Sequence, residues 1–527
     1  MRRNRLLFFF LLCLFLASSC QKKEDVDLSK SNFIYLKDNE FKLHGETFFP
    51  MMLNWVPSFQ CDENGKFIVA PDVDYDSVGY VDAYGKVPVT EQINGQFQLI
   101  SELGFNTLRV CCNRVARDDH GLFYQGGDRK FRIGNEADET AIIEGLSELM
   151  ELARAHDLRV MLLIHGPIGE PTLESFTIRL LQHFSNDPTL FAYDFMNEPL
   201  YFDPVERRTK TDVVRIVDRW RKMMRQHAPN QLFTIGFSEP LEVFEWDPAM
   251  LAVDFVEFHT YHPLRVPSEI YWYSRYVDKP WMIGETALPA DGDSITYEEQ
   301  TEFMVAVYQL VRDAGGCGFG WWAYQDISKG NFEAQYTGLL NHEGRTTTAD
   351  GRYTLQGTVK PAALKVKELS LYHPRPTKRP INFYNMLGYK NIRITGTILD
   401  MRTRQPIEGA VVRGWSEWWN IGMNTYTDEN GRFTLYCNQP CMHFEVSAPG
   451  TSKLKFNKRD IRYRTADGRP VSASDLYGLT DSELEYHHIS HHPFRKEGGG
   501  IFDFKEDAFG QWCYTGDMGT LLLVKEQ

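Results

Sequence analysis

Eight short apolar runs, set apart by longer amphipathic stretches, constrain this chain more than any other feature. They are Phe48–Asn54, Phe105–Cys112, Leu158–His165, Leu190–Asn197, Gln231–Phe237, Asp254–His259, Pro280–Glu285 and Cys317–Trp322. Each is near-continuously hydrophobic rather than alternating, as expected of parallel strands covered on both faces. Helix-period stretches lie between most of them. Asp138–His156 places Ile142, Leu146, Leu149 and Ala153 on one stripe, and Asp212–His227 does so with Val213, Ile216, Trp220 and Met223 or Met224. Thr296–Asp313 and Pro361–Leu369 supply the last two helices. Eight strand–helix units predict an α/β fold, a (β/α)8 TIM barrel over residues 31–372. A doubly wound open sheet is the competitor, but no glycine-rich phosphate loop follows the first run. The excursion from Val56 to Thr90, with Asp62, Glu63, Asp72, Asp74, Asp76, Asp82, Tyr75, Tyr80 and Tyr84, follows the first strand. It is read either as part of the site at the barrel's C-terminal face or as a solvated loop.

Composition narrows the function. Hydrophobic residues make up 43% and charged residues 24% of the 527, which excludes a disordered or collagen-like chain. A net charge of −14 argues against nucleic acid as a partner. The 11 Trp, 25 Tyr and 35 Phe suit a core and also flat platforms for ring-shaped ligands. Arg2, Arg3 and Arg5 precede an apolar run, Leu6 to Leu16, that is short for a membrane span. The run ends in Ala17-Ser18-Ser19-Cys20, which resembles the lipobox of bacterial lipoproteins. That resemblance implies a signal peptide over 1–20, lipidation of Cys20, a tether over 21–30 and a partner membrane in the bacterial cell envelope. An ordinary signal peptide cut nearby is the alternative. Of the nine cysteines, Cys13 falls in the signal, vicinal Cys111-Cys112 read as strand residues, and Cys437 and Cys441 are spaced for one local bridge.

After a linker at 373–390 the pattern changes to alternation, with strands expected at Asn391–Leu399, Val411–Trp415 and Arg432–Tyr436. Ile394-Thr395-Gly396-Thr397, Pro406-Ile407-Glu408-Gly409-Ala410 and Thr427-Asp428-Glu429-Asn430-Gly431-Arg432-Phe433 resemble the carboxypeptidase regulatory-like family. That implies a small, non-catalytic, all-β immunoglobulin-like sandwich over 391–450. Residues 451–527 read as an irregular C-terminal extension, separate from the sandwich domain or part of it. Their His487, His488, His491 and His492 lack the cysteine or carboxylate that would complete a metal site, so the stretch is read as a polar loop.

The chemistry-bearing residues fall at strand ends. The fourth run ends Asp194-Phe195-Met196-Asn197-Glu198-Pro199 and the seventh ends Trp281-Met282-Ile283-Gly284-Glu285. Together with Leu53-Asn54-Trp55, Gly104-Phe105-Asn106-Thr107-Leu108-Arg109, Leu163-Ile164-His165, His259-Thr260-Tyr261 and Gly320-Trp321-Trp322, and with Lys42-Leu43-His44-Gly45-Glu46 ahead of them, the ordered set resembles glycoside hydrolase family 5 and its clan A over residues 30–370. The resemblance implies hydrolysis of a β-linked oligo- or polysaccharide (glucan, mannan or related) with retention and without cofactor or metal. Glu198 is then the general acid/base and Glu285 the nucleophile. Arg109 is expected beside Glu285 as its counter-charge, Tyr261 to donate to the same carboxylate, and Asn197 to hold the sugar hydroxyl next to the reacting carbon. Asn54, His165 and His259 complete the substrate-binding set, with Trp322 the sugar platform and Trp321 the packing residue. One rival is a carbohydrate-binding envelope protein on an inactive barrel, against which the presence of both glutamates argues. The other is a metal-dependent barrel hydrolase, which would need His and Asp ligands at several strand ends, where the sequence offers too few carboxylates.

Overall fold

The structure is a computed structural model. It describes residues 31–525 apart from 62–66, 72–88, 112–113, 116–123, 126–130, 133–135, 204, 206, 328–330, 378–379, 381–391, 417–421, 438–440, 458–460, 473–475, 477–495 and 505–513. Cys20, the tether, most of the 373–390 linker, the four-histidine tract and the acidic and tyrosine side chains named between Val56 and Thr90 lie outside the described residues.

All eight apolar runs are strands: β1 (Met51–Trp55), β2 (Thr107–Cys111), β3 (Arg159–Leu163), β4 (Leu190–Asn197), β5 (Leu232–Phe237), β6 (Val256–His259), β7 (Trp281–Glu285) and β8 (Phe319–Trp321). They close into a parallel barrel in the order β3-β4-β5-β6-β7-β8-β1-β2, the topology of a (β/α)8 fold. Their outward faces pack on the helices, among them α1 (Val89–Leu103), α2 (Glu136–Ala155), α3 (Pro171–Phe184), α4 (Lys210–His227), α5 (Val266–Tyr276), α6 (Tyr297–Asp313) and α7 (Pro361–Leu369). In α4 the apolar stripe buries Val213, Val217, Trp220, Met223 and Met224, and the Thr209 hydroxyl caps its first turn. In α6, Thr296 and Glu299 form a reciprocal capping box. An antiparallel hairpin ahead of β1 (Tyr35–Lys37 and Glu40–Leu43) closes the N-terminal end of the barrel. Its fully buried Phe41 meets Phe191 and Phe255 edge-on, with ring centroids 6.0 and 5.0 Å away.

Beyond the linker the chain is all-β, in two sheets. With β9 (Ile392–Asp400), β10 (Val411–Trp415), β11 (Gly422–Tyr426), β12 (Arg432–Cys437), β13 (His443–Ser447), β14 (Leu454–Asn457), β15 (Arg462–Thr465), β16 (Pro470–Val471) and β17 (Tyr514–Leu523), the orders are β12-β9-β17-β15-β16 and β11-β10-β13-β14. The stretch read as an irregular extension therefore supplies four strands. One of them, β17, lies at the centre of its sheet, parallel to β9. Cys437 and Cys441 are free, buried thiols with sulfurs 3.4 Å apart.

The two parts share a buried interface. Val411 and Tyr426 join the apolar cluster of the barrel, and the indole of Trp272 on α5 donates to Gly409 O at 2.8 Å. Lys210 Nζ lies 2.7 Å from Asp247 Oδ2 and donates to Ala448 O at 3.2 Å, while Gly450 N donates to the same Asp247 oxygen at 2.8 Å. Both charged side chains are nearly inaccessible. Removing one partner of such a pair strands the other charge in a low-dielectric interior. Lys210→Met should therefore cost about 3 kcal/mol of unfolding free energy, read by urea denaturation. A loss below about 1 kcal/mol would mean that water reaches Asp247.

Candidate active site

The site is built around one guanidinium. Arg109 projects from β2 into the barrel with no exposed surface. Its Nη1 donates to Asn54 Oδ1 at 3.0 Å and to Glu285 Oε1; its Nη2 donates to Asp194 Oδ2 at 2.6 Å and Asn197 Oδ1 at 2.9 Å. Its Nε stands 3.1 Å from Glu257 Oε1. Burial works against this charge, but the fields of Glu257, Asp194 and Glu285 outweigh it, so the guanidinium stays charged. Glycines on neighbouring strands make room for these groups. A Cβ on Gly236 would come within 3.1 Å of Arg109 Nη2 and His259 Nε2, and one on Gly284 would overlap the Glu257 carboxylate.

The two strand-end glutamates meet over this cluster. Glu285, on β7, accepts from Arg109 on Oε1 and from the Tyr261 hydroxyl on Oε2. Glu198 ends β4 in a left-handed conformation, with φ 40° and ψ 69°, which is strained for a residue with a Cβ and recurs at functional sites. Its Oε1 lies 2.9 Å from His259 Nδ1, and the same nitrogen is 3.5 Å from Glu285 Oε2. One oxygen of each glutamate and a nitrogen of His259 all fall within 4.8 Å of one another. Among the described residues this is the one trio spaced to share a metal ion. The imidazole is poorly suited to ligate. Burial alone would discharge it, but Glu285, Glu198 and Glu257 surround it and raise its pKa to about 10, so both nitrogens carry protons. Burial also raises Asp194, to about 7, with Glu257 adding to the effect. Tyr261, partly buried beside Glu285 and Glu198, is pushed well above its ordinary range by desolvation and by those two carboxylates, and stays a donor.

Seven residues singled out from the sequence are thus brought to one point: Asn54, Arg109, Asn197, Glu198, His259, Tyr261 and Glu285. His165 stands at the end of β3, and burial lowers its imidazole to about 3, leaving it neutral. Trp322 is partly exposed at the end of β8, at a cis bond to Ala323, whereas Trp321 is fully buried and its indole donates to Thr337 O at 3.0 Å. Sequence reasoning missed Asp194 and Glu257, the two fully buried carboxylates that face Arg109.

Residues 78–327, reaching just past β8, match the family model described as cellulase (glycosyl hydrolase family 5). The barrel is a glycoside hydrolase. No curated protein matches the hydrolase in sequence. Solved structures similar to it include the endo-1,4-beta-mannanase of Rhizomucor miehei, 14% identical with a TM-score of 0.40, covering 57% of this chain and 93% of that one. An exo-beta-1,4-mannosidase of Opitutaceae bacterium strain TAV5 is 17% identical with a TM-score of 0.43, covering 65% and 61%. The beta-glucosidase of Thermotoga maritima is 11% identical with a TM-score of 0.39, covering 61% and 98%.

The charge on His259 has a consequence for stability. Its pKa is raised on folding from 6.5 to about 10, so its contribution is complete below about pH 6.5 and is lost as pH rises through about 10. The melting temperature of the hydrolase should therefore fall more steeply across that window than that of His259→Gln. Parallel slopes for the two proteins would mean that the imidazole is neutral.

Proposed function

We propose that the hydrolase cleaves a β-linked oligo- or polysaccharide with retention of configuration, through a covalent glycosyl-enzyme intermediate. The observation that carries this is the convergence of the two carboxylates on one imidazole nitrogen, His259 Nδ1, 2.9 Å from Glu198 Oε1 and 3.5 Å from Glu285 Oε2, which leaves no room for a water held between them. Retaining glycosidases hold the pair about 5–5.5 Å apart, whereas inverting ones leave about 6.5–9.5 Å for a water between them. Glu285 is the nucleophile, since donors on both oxygens fix its aim. Glu198, with more of its side chain exposed (17% against 6%), is the acid that protonates the leaving oxygen and the base that then activates water. His259 hands Glu198 a hydrogen bond and keeps it off the Glu285 oxygen. Asn197, steered by Arg109, binds the hydroxyl next to the reacting carbon, while His165 and Trp322 contact the sugar on the glycone side. Glucans and mannans are the favoured substrates. An inactive, carbohydrate-binding barrel would have no need of this aimed and strained pair.

Glu285→Ala should lose activity by about four orders of magnitude or more, even on activated aryl glycosides. Glu198→Ala should form the intermediate from such a substrate and stall, because nothing activates water. Azide, which needs no base, should then restore turnover and yield the β-glycosyl azide. Proton NMR of the product reads the outcome, and an α-azide from Glu198→Ala would reverse the assignment.

The proposal extends to location. The basic segment, the short apolar run and Cys20 support a lipid-anchored envelope protein, and the small sandwich-like module serves as a non-catalytic partner of the barrel. The protein's net charge of −14 gives it no electrostatic hold on an anionic leaflet, so attachment would depend on the acyl chains. Cys20→Ser should shift the protein from the detergent phase to the aqueous phase or leave its precursor uncut. Unchanged partition would reject the anchor.

A further inference from the structure

Resting on that reading, we propose that Tyr201, flanked by Phe202, is a stacking platform for the leaving-group sugar, held in place by Glu239. Among the described residues seven large apolar side chains are conspicuously exposed, and Tyr201 (51%), Phe202 (42%) and Val205 (48%) are three of them. These three follow Glu198 within seven residues, on and just after the short helix Pro199–Phe202. A clustered apolar surface at the mouth of a cleft marks contact with a ligand, where scattered exposed residues do not.

The exposure is not that of a loose loop. Tyr201 N and Phe202 N donate to Glu198 O at 2.9 and 3.0 Å, so the platform is one helical turn from the acid/base. The Tyr201 hydroxyl donates to Glu239 Oε1 at 2.5 Å, and Glu239 Oε2 accepts from Arg265 at 2.9 Å. Burial would neutralise Glu239, but Arg265, the Tyr201 hydroxyl and Arg413 of β10 prevail and hold it below the usual carboxylate range. The hydroxyl therefore sits in a charge-assisted hydrogen bond while about half of the residue stays exposed to solvent, 51%. Glu242 adds a second tie by accepting from Leu200 N at 3.1 Å, and Asp203, just past the helix, accepts from Arg208 at 2.6 Å and from the Trp246 indole at 2.9 Å. An aromatic side chain pinned by its polar end and still half exposed is pre-organised to stack and loses little freedom on binding.

Position assigns the occupant. In a closed eight-stranded barrel, strands four apart stand opposite one another, so Trp322 after β8 faces Tyr201 after β4 across the mouth. The glycone lies where Glu285, Arg109 and Asn54 from β7, β2 and β1 converge. The bond to be cleaved lies under Glu198, which protonates its oxygen, and the sugar beyond that oxygen extends over β4 and β5, where Tyr201 and Glu239 stand. Binding a non-reacting unit there lowers the barrier for long substrates selectively.

The test compares an oligosaccharide of the sugar that the wild-type enzyme cleaves with the corresponding glycosyl fluoride. The fluoride's leaving group is a single atom and cannot touch the platform. For Tyr201→Ala the ratio of kcat/KM on oligosaccharide to kcat/KM on fluoride should fall about tenfold. Tyr201→Phe, which keeps the face and loses the tie to Glu239, should lie between it and the wild type. Equal losses on both substrates would make Tyr201 a structural residue and overturn the proposal, as would an unchanged ratio in a Tyr201→Ala protein with native circular dichroism. Fluoride hydrolysis abolished by Glu285→Ala supports the catalytic reading on its own. Its persistence in Glu285→Ala would overturn that reading, and the platform with it.

Discussion

A guanidinium sealed from water demands partners for its N–H groups, and Arg109 finds acceptors on three other strands and a further carboxylate beside it on a fourth. Asn54 arrives from β1, Asp194 and Asn197 from β4, Glu257 from β6 and Glu285 from β7. Because the fork of Arg109 is planar and rigid, each partner that satisfies it is also placed by it. Asn54 in turn donates to Gly284 O and Trp321 O at 2.9 and 3.0 Å, so the same arginine fixes the ends of β7 and β8. Breaking a buried pair of this kind typically costs about 3–5 kcal/mol. The barrel therefore holds a catalytic geometry that its apolar core alone would not specify.

The charges around Arg109 explain why the cluster tolerates so many acids. Among the described residues, Asp194, Glu198, Glu257 and Glu285 face two cations, Arg109 and His259. The imbalance is met by proton retention: His259 keeps its second proton to about pH 10, and Asp194 is raised to about 7. A charged His259 between two glutamates prevents their mutual repulsion from swinging either away. Gly236 and Gly284 supply the space, and larger residues there would displace the very groups that carry the charge.

The barrel was legible in the sequence because each strand is buried on both faces, which turns it into a continuous apolar run. The seven converging residues were legible because a parallel barrel gathers strand ends, whatever their separation along the chain. Asp194 and Glu257 were not, since each sits inside a run that reads as core. The signal for Glu257 was its two-residue offset from His259, which puts both side chains on one face of β6. For Asp194 even that fails, because the register shifts between it and Asn197. The strand β17 was hidden for a different reason: its partner β9 lies more than a hundred residues upstream, and two glycines interrupt its alternation. Tyr201 was passed over because exposure of an aromatic ring is a property of the folded surface and leaves no mark in periodicity.

The hairpin carrying Phe41 covers the end of the barrel away from Glu198 and Glu285, and side chains fill the interior between, so substrate reaches the two glutamates from the face where the strands end. Traffic is then ordered by geometry. In the retaining reaction proposed above, the departing half of the substrate and the incoming water use the same position beside Glu198, and the first must leave it before the second can enter. Any molecule that lingers there, a second sugar included, competes with water for the waiting intermediate. One shared acid/base position thus sets, through the residence time of the leaving group, a balance between cutting a chain and rejoining one.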